Sequence, residues 1–599
     1  MPAIAPSPAI ERDAPGRVVA GLAGIWTRIA IFVGRLPGQA SVSKLDALER
    51  FQLETSPWRV ALILVLTPLP WLLINLLLEW IPLRDPADGF WGSGYYQLRM
   101  LLTSTLSSVA PVLLKLHCVP GFPASSPRVL AAYALFQAAI CLGTNAIIAL
   151  AADVFPVPFS QFTVILPMAI GGRLVLYRRV PDDPQLHALS DKVNQWLGME
   201  TLPILVYPVF TAVFTVLTPA QQLWASLLLP VLKLGVRGSL WSVAKEDDDL
   251  VGVITCCVGH LYHILFTAMI LQNAKSLETL AVVVLFNSVQ MLFNCRCILA
   301  DSNAIYEARA EAEGKEAAAL NPTDNVRTAL NFAQEKRIAQ NLHCRTPSLL
   351  LSTYPGYRGA AFLEQNQEML TLYNAANVYN SPTKAARRGP HSNVGAPKVI
   401  AVRQASAASR SSRISRILPW ADRKRQVSDQ TIHVKLFVSR PRSCSDPSAW
   451  TNAEKEEGRL ARHEAVIHKV ASALHQTEMI LLRSYVTVCM TLFYVIYLQA
   501  VFHLSNRRYF ATLVYLTTIE AVDTTMQRLL LICAMEIFFL SIYLVLIWRR
   551  LGVSGVYQLA FILWSQKVLV QAKLYVTVVI LGFPLTHNGN DSILRFRSF

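Results

Sequence analysis

Charge is what this sequence has least of. Only 16% of its 599 residues are Asp, Glu, Lys or Arg, where a soluble protein of ordinary composition carries about a quarter. So little charge cannot clothe several soluble domains, although the length alone would suggest them. Acidic residues are the scarcer kind, 39 against 55 basic, and the net charge is +16. The ten cysteines are scattered, and Cys141, Cys489 and Cys533 lie inside apolar segments. The close pairs Cys256-Cys257 and Cys295-x-Cys297 lack the CxxC spacing of a zinc or redox site. The cysteines are read as small buried hydrophobes, with no disulfide framework.

Catalytic motifs are missing too. His463-Glu464 with His468 resembles a zinc-protease helix, but that motif needs its histidines four apart and these are five apart. Gly314-Lys315 is followed by Glu316 and has no upstream glycine, so it is no phosphate loop. No paired carboxylates and no metal ligand set stand out. The expectation is therefore no enzyme, no cofactor, no metal and no nucleic-acid partner.

What is present is apolar residue, 53% of the chain, in long blocks and with a mean hydropathy of +0.37. A bilayer core about 30 Å thick takes roughly 20 apolar residues to cross as a helix. Val129–Ala151 runs 23 residues without a charge and Ser484–Leu504 runs 21. The fold class that follows is all-α, a polytopic helical membrane protein with about eleven spans, eight before a long loop and three after it. The first eight are Val60–Trp80, Leu101–His117, Val129–Ala151, Phe159–Tyr177, Leu202–Thr218, Leu223–Trp241, Leu250–Leu271 and Leu277–Ile298. The last three are Ser484–Leu504, Leu529–Trp548 and Leu559–Phe583. Pro68 and Pro70 sit inside the first, which membrane helices tolerate.

The domain plan follows from these blocks. Residues 1–57 are a cytosolic segment in which the basic, amphipathic stretch 17–35 lies along the inner membrane interface. Residues 58–299 form the eight-helix block, 300–450 a disordered basic loop, 451–480 a cytosolic helix, 481–585 the three-helix block and 586–599 a short outer tail. Lysine and arginine in the short connections set the orientation. Residues 152–158 and 219–222 carry neither, whereas 178–200 carry Arg178, Arg179 and Lys192, and Arg549-Arg550 follows the tenth span. These agree with a cytosolic N-terminus, against the opposing weight of Arg507, Arg508 and Arg528.

The insertion 301–476 holds 25 basic and 16 acidic residues, and 381–442 within it holds 14 and 2. That stretch has too few large apolar residues to fold alone, and its charge suits anionic lipid headgroups. Arg442-Ser443-Cys444-Ser445-Asp446-Pro447 matches R-S-x-S-x-P, the pattern a 14-3-3 protein reads at 442–447 once the second serine is phosphorylated. Ser406 and Ser428 follow basic residues in the same way, so Ser406, Ser428 and Ser445 are the candidate phosphorylation sites. Thr451-x-x-Glu454 reads as a capping box opening a helix that continues into the ninth span. Asn590-Asp591-Ser592 is a glycosylation sequon close to the membrane, which argues against its use.

Ionisable residues inside spans are costly and mark function. Lys233 and Arg237 share a face of the sixth helix, and His260 and His263 share a face of the seventh. These four are the candidate intramembrane polar site. For Lys233 and Arg237 the favoured placement is snorkelling to the cytosolic interface. Glu536 in the tenth helix is expected to pair with Lys567 or Lys573.

Several stretches carry a family resemblance. Leu48–Arg84 contains T-P-L-P and W-I-P-L-R; Leu229-Pro230-x-x-Lys233-x-x-x-Arg237 and His263-x-Leu265-Phe266 follow, the latter running on to Met269, Gln272, Ser276 and Thr279. Beyond the loop stand Phe502-His503-Leu504-x-Asn506-Arg507-x-Tyr509 and Gln566-Lys567-x-x-x-Gln571-x-Lys573. Together they resemble a large family of uncharacterised polytopic membrane proteins of oomycetes, with one departure at Asn287, where the family pattern has an acidic residue. The resemblance implies a eukaryotic origin and a membrane location, and no activity.

Two functions remain. A transporter or channel requires a solvent-accessible cavity lined by Lys233, Arg237, His260 and His263. The alternative, a membrane signalling or scaffold protein with a phosphorylation-regulated loop, requires a tightly packed bundle. The first is preferred by analogy of architecture.

Overall fold

The structure is a computed structural model describing residues 35–118, 127–157, 184–245, 248–272, 277–316, 320–333, 447–510 and 518–582, with a few isolated residues besides. The amphipathic stretch 17–35 (save Arg35), Phe159–Tyr177 (save Ile170 and Gly171), the serines 406, 428 and 445, and Asn590 lie outside them. So do the lipid-binding stretch 381–442 and all of 442–447 but Pro447.

Every regular element among the described residues is a helix. In chain order the ones used below are α1 (Val42–Glu54), α2 (Pro57–Leu66), α3 (Leu69–Trp80), α4 (Gly94–Cys118), α5 (Pro127–Ala152) and α6 (Pro184–Val216). Next come α7 (Pro219–Ser226), α8 (Leu228–Ala244), α9 (Asp249–Gln272), α10 (Leu277–Glu313) and α11 (Asn325–Ala333). After the loop come α12 (Pro447–His503), α13 (Ile519–Leu551), α14 (Gly555–Ser565), α15 (Lys567–Leu574) and α16 (Val576–Gly582). Among the described residues, seven stretches are long and apolar enough to cross a membrane: α2–α3, α5, α7–α8, α9, α10, α12 and α13. This is the make-up of a helical, membrane-embedded protein. The described helices belong to one unit of residues 1–365 and 458–599; the first turns of α12 fall in a separate unit, 366–457.

The seven correspond to seven of the eleven expected spans. Leu101–His117 lies in α4 and Leu202–Thr218 overlaps the end of α6. The eleventh span, Leu559–Phe583, is broken into α14, α15 and α16. The helix expected over 451–480 and the ninth span are one helix, α12, of 57 residues and so roughly 85 Å long at 1.5 Å per residue. It begins at Pro447, so Thr451 stands inside it and caps nothing. The loop is also shorter than expected, because α10 continues to Glu313 and α11 follows. Arg309 ties the two together through Asn325 Oδ1 (2.7 Å) and the Asn321 carbonyl (3.0 Å).

Local sequence explains the breaks. Ser56 caps α2 by accepting from Arg59 N–H, and Pro57 takes the first helical position, where no N–H is needed. Pro68 and Pro70 lack the N–H that would continue the ladder, and the chain turns between α2 and α3. The buried Thr67 carbonyl accepts from Gln571 Nε2 (2.8 Å), and Gln571 Oε1 accepts from Trp71 Nε1 (2.8 Å). The T-P-L-P element therefore meets the Gln571 element in space. α13 ends at Gly552, whose φ of +71° suits glycine; a Cβ there would run into the Pro322 carbonyl.

Burial sorts the helices. Every residue of α9 is buried, whereas only 11% of the apolar window in α10 is. Lipid tails are as apolar as leucine, so no hydrophobic gain pulls one span inside and leaves another outside; close packing and polar contacts do. α9 carries Thr255, His260, His263, Thr267 and Gln272 together with Gly252 and Gly259. At Gly252 a Cβ would stand 2.8 Å from Glu478 Oε1, so glycine permits the approach of α12. On α10, Leu285, Val289 and Leu292 point outward, and Asn294, on the inward side, donates to Tyr543 Oη (3.0 Å). The outward apolar faces are where lipid contact belongs.

Candidate functional site: a buried polar cluster on α9

Lys233 and Arg237 stand at i and i+4 on α8 and are 8% and 6% exposed. They do not snorkel. Gly259, a residue without a side chain, lets α9 pack against α8 here, where a Cβ would stand 3.1 Å from Leu240 Cδ1. Lys233 Nζ reaches Gln290 Oε1 of α10 at 3.4 Å. His260 Nε2 lies 2.7 Å from Thr487 Oγ1 of α12. His263 Nδ1 lies 3.5 Å from Tyr207 Oη of α6, and the two imidazole centroids are 5.9 Å apart. The stretch Ile254–His260 is wound as a π-helix, a local widening that often marks functional sites and here carries His260.

Two groups join this set that were not expected there. Arg483 of α12 is 7% exposed and Glu536 of α13 is 7% exposed. Lys233, His260, Arg483, Glu536, Thr487, Gln290 and Asn287 line a cavity of about 10 Å3. Arg483 and Arg237 also line a second space, of about 20 Å3, with Arg35, Asp301, Asn294 and Gln476. A single water occupies roughly 10–15 Å3 measured in this way. These two spaces are therefore water-sized. The Nε of Arg237 and the Nδ1 of His260 are buried without a hydrogen-bond partner among the described residues. Arg35 and Asp301 pair at 2.5 Å. That leaves Lys233 and Arg483 sharing one space with the carboxylate of Glu536, and Arg237 beside Arg483 in the other.

Glu536 does not meet the lysines expected for it. Lys573 forms a buried ion pair with Glu200 of α6. Lys567 is exposed and lies over the Trp564 ring, 4.5 Å from its centroid. Glu536 shares its cavity with Lys233 and Arg483 instead. Asn287 lines the same cavity, so the position where an acid was expected is a neutral neighbour of Lys233.

Two further buried networks lock the helix ends. Arg99 of α4 makes a two-pronged pair with Glu79 of α3 (2.5 and 2.7 Å), and Tyr497 Oη donates to Glu79 Oε1 (2.7 Å). Asn506 Nδ2 donates to the carbonyls of Glu79 and Ile81, both at 2.7 Å. The W-I-P-L-R and Asn506 elements thus also meet, as packing partners. At the start of α9, Asp249 accepts from Ser41 N (2.8 Å) and Ser41 Oγ (2.5 Å). Lys44 bridges Glu478 (2.6 Å) and the Asp249 carbonyl (3.1 Å).

His463 stacks on Phe332 at 3.9 Å, and His468 contacts Glu464 and Gln39, so the His463–His468 pair serves packing. No group of three metal-ligating side chains occurs among the described residues. Arg483 was hidden by its place, one residue before the charge-free run Ser484–Leu504. Glu200 and Glu79 were hidden by standing alone at the edges of apolar blocks. Compared with known proteins, the chain matches no family model, no curated protein and no solved structure.

Proposed function

We propose that the chain is a membrane transport protein for a small inorganic anion, with Glu536, His260 and His263 exchanging protons beside the anion's path. One observation carries this: Lys233, Arg237 and Arg483 are buried beside one enclosed helix, and among the described residues lining their two spaces only Glu536 is a carboxylate not paired with Arg35. An excess of positive charge inside a membrane bundle is costly and favours an anion as its partner. The two spaces at these residues are water-sized, which by itself suits the tightly packed scaffold reading, so the transport reading rests on the buried charge. Tyr207 and Thr487 orient the two histidines. The cytosolic N-terminus is proposed on the lysine and arginine pattern alone, and membership of the oomycete family on the motif residues alone.

The test is halide uptake into liposomes holding a halide-quenched dye, with Lys233→Ala plus Arg237→Ala beside the unaltered protein. We expect uptake well above protein-free liposomes for the unaltered chain and its loss in the double variant, with thermal unfolding in detergent checking that the variant is folded. Uptake no faster than in protein-free liposomes would overturn transport and leave the scaffold reading.

A further inference from the structure

A large cavity lies away from the buried cluster, on the outer side of α2–α3, α4 and α14–α15. It measures about 760 Å3, within the roughly 300–1,000 Å3 of ligand pockets. Its walls are almost wholly apolar, among them Leu62, Leu66, Val109 and Leu113. Leu62, Leu66 and Leu113 are also 41–45% exposed, so the slot is continuous with the outer apolar surface. From Arg59 to Trp71 it follows helix for roughly 18 Å at 1.5 Å per residue. That is about the half-thickness of a bilayer core.

Charge is confined to one place on this slot. Arg59 Cζ lies 5.0 Å and Lys567 Nζ 4.5 Å from the centroid of Trp564. Both cations are exposed, and neither forms an ion pair among the described residues. Arg59 stands in the first turn of α2, at the end of the span, where a headgroup lies. The remaining polar wall atoms, on Thr67, Trp71 and Gln571, are hydrogen-bonded to one another. An apolar slot one leaflet deep, with two free cations and a tryptophan at its mouth, matches one chemistry: an acyl chain ending in an anionic headgroup.

We propose that this slot is a binding site for an anionic phospholipid of the surrounding membrane, its acyl chain along Leu62, Leu66 and Leu113 and its phosphate between Arg59 and Lys567. The site is independent of the buried cluster and of the transport reading.

The test uses full-length protein in a nonionic detergent, titrated with phosphatidylglycerol or phosphatidylcholine carrying the same brominated chains, with tryptophan quenching as the readout. Bromines in the slot quench Trp71 and Trp564. The expected preference for phosphatidylglycerol is about thirtyfold, which is about 2 kcal/mol for two basic residues. Arg59→Gln with Lys567→Gln is expected to abolish the preference while phosphatidylcholine binds as before. Equal binding of the two lipids by the unaltered protein would overturn the proposal, as would a preference that survives the double substitution. Brominated oleate binding as well as phosphatidylglycerol would overturn the choice of a phospholipid. Should the double variant fail to fold, the lipid comparison on the unaltered protein decides.

Discussion

α9 and α10 are nearly alike as sequence and opposite as structure. Their apolar windows have hydropathies of 1.8 and 1.6, yet the first is 100% buried and the second 11%. The difference lies in a few positions. α9 spreads threonine, histidine, glutamine and glycine along its length, and every side has a neighbour. α10 keeps Asn294 on its inner side and leucine on its outer side. Within a membrane, apolar residues are at home against lipid or protein, so the sparse polar and small residues decide which helix goes inside. The same residues then concentrate the chemistry there: four of the six ionisable groups of the cluster come from α8 and α9, and the other two from α12 and α13.

The comparison can be broken at several points. The largest effect is expected at Lys573. Lys573→Ala leaves Glu200 as an uncompensated buried charge and is expected to cost about 3–5 kcal/mol, read as a lowered unfolding midpoint in detergent; adding Glu200→Gln should recover much of it. Next comes truncation of the core: Leu265→Ala on α9, fully buried, is expected to cost about 2–5 kcal/mol. Its counterpart Leu285→Ala on α10, 64% exposed, should change stability by no more than about 0.5 kcal/mol. Equal costs would remove the distinction between the two helices. Gly252→Ala pushes a Cβ toward Glu478 Oε1 and Met479 Sδ and is expected to destabilise by about 1–3 kcal/mol. Gly143→Ala on α5, with open space around it, should be neutral or stabilising by up to about 1 kcal/mol. The smallest effect is Thr487→Val, which removes the hydroxyl beside His260 at about 0.6 kcal/mol.

Much of this was legible in the sequence, and the limits have physical causes. The membrane class and the run of α12 into the ninth span follow from local composition; the break at Pro68 and Pro70 was expected to be tolerated within one helix. Lys233, Arg237, His260 and His263 were legible as a cluster because helical spacing pairs them on two faces. Their burial was not, because a lysine near a helix end can either snorkel or turn inward, and α12 decides which. The partner of Lys573 was illegible for another reason. Glu200 is 373 residues away, and nothing in chain order brings α6 to α15. The breaks at Gln566 and Tyr575, which split the last expected span into three helices, were not legible, since hydropathy does not register them.

The central claim is that the buried cluster handles an ion while the outer faces only meet lipid. Halide uptake by liposomes containing Glu536→Gln, beside liposomes containing Leu285→Ala at equal protein density, tests it most directly. The account predicts uptake lowered by about tenfold or more for Glu536→Gln, as befits loss of a charged partner worth roughly 1.5–3 kcal/mol, and an unchanged rate for Leu285→Ala. Equal rates for the two variants would contradict it.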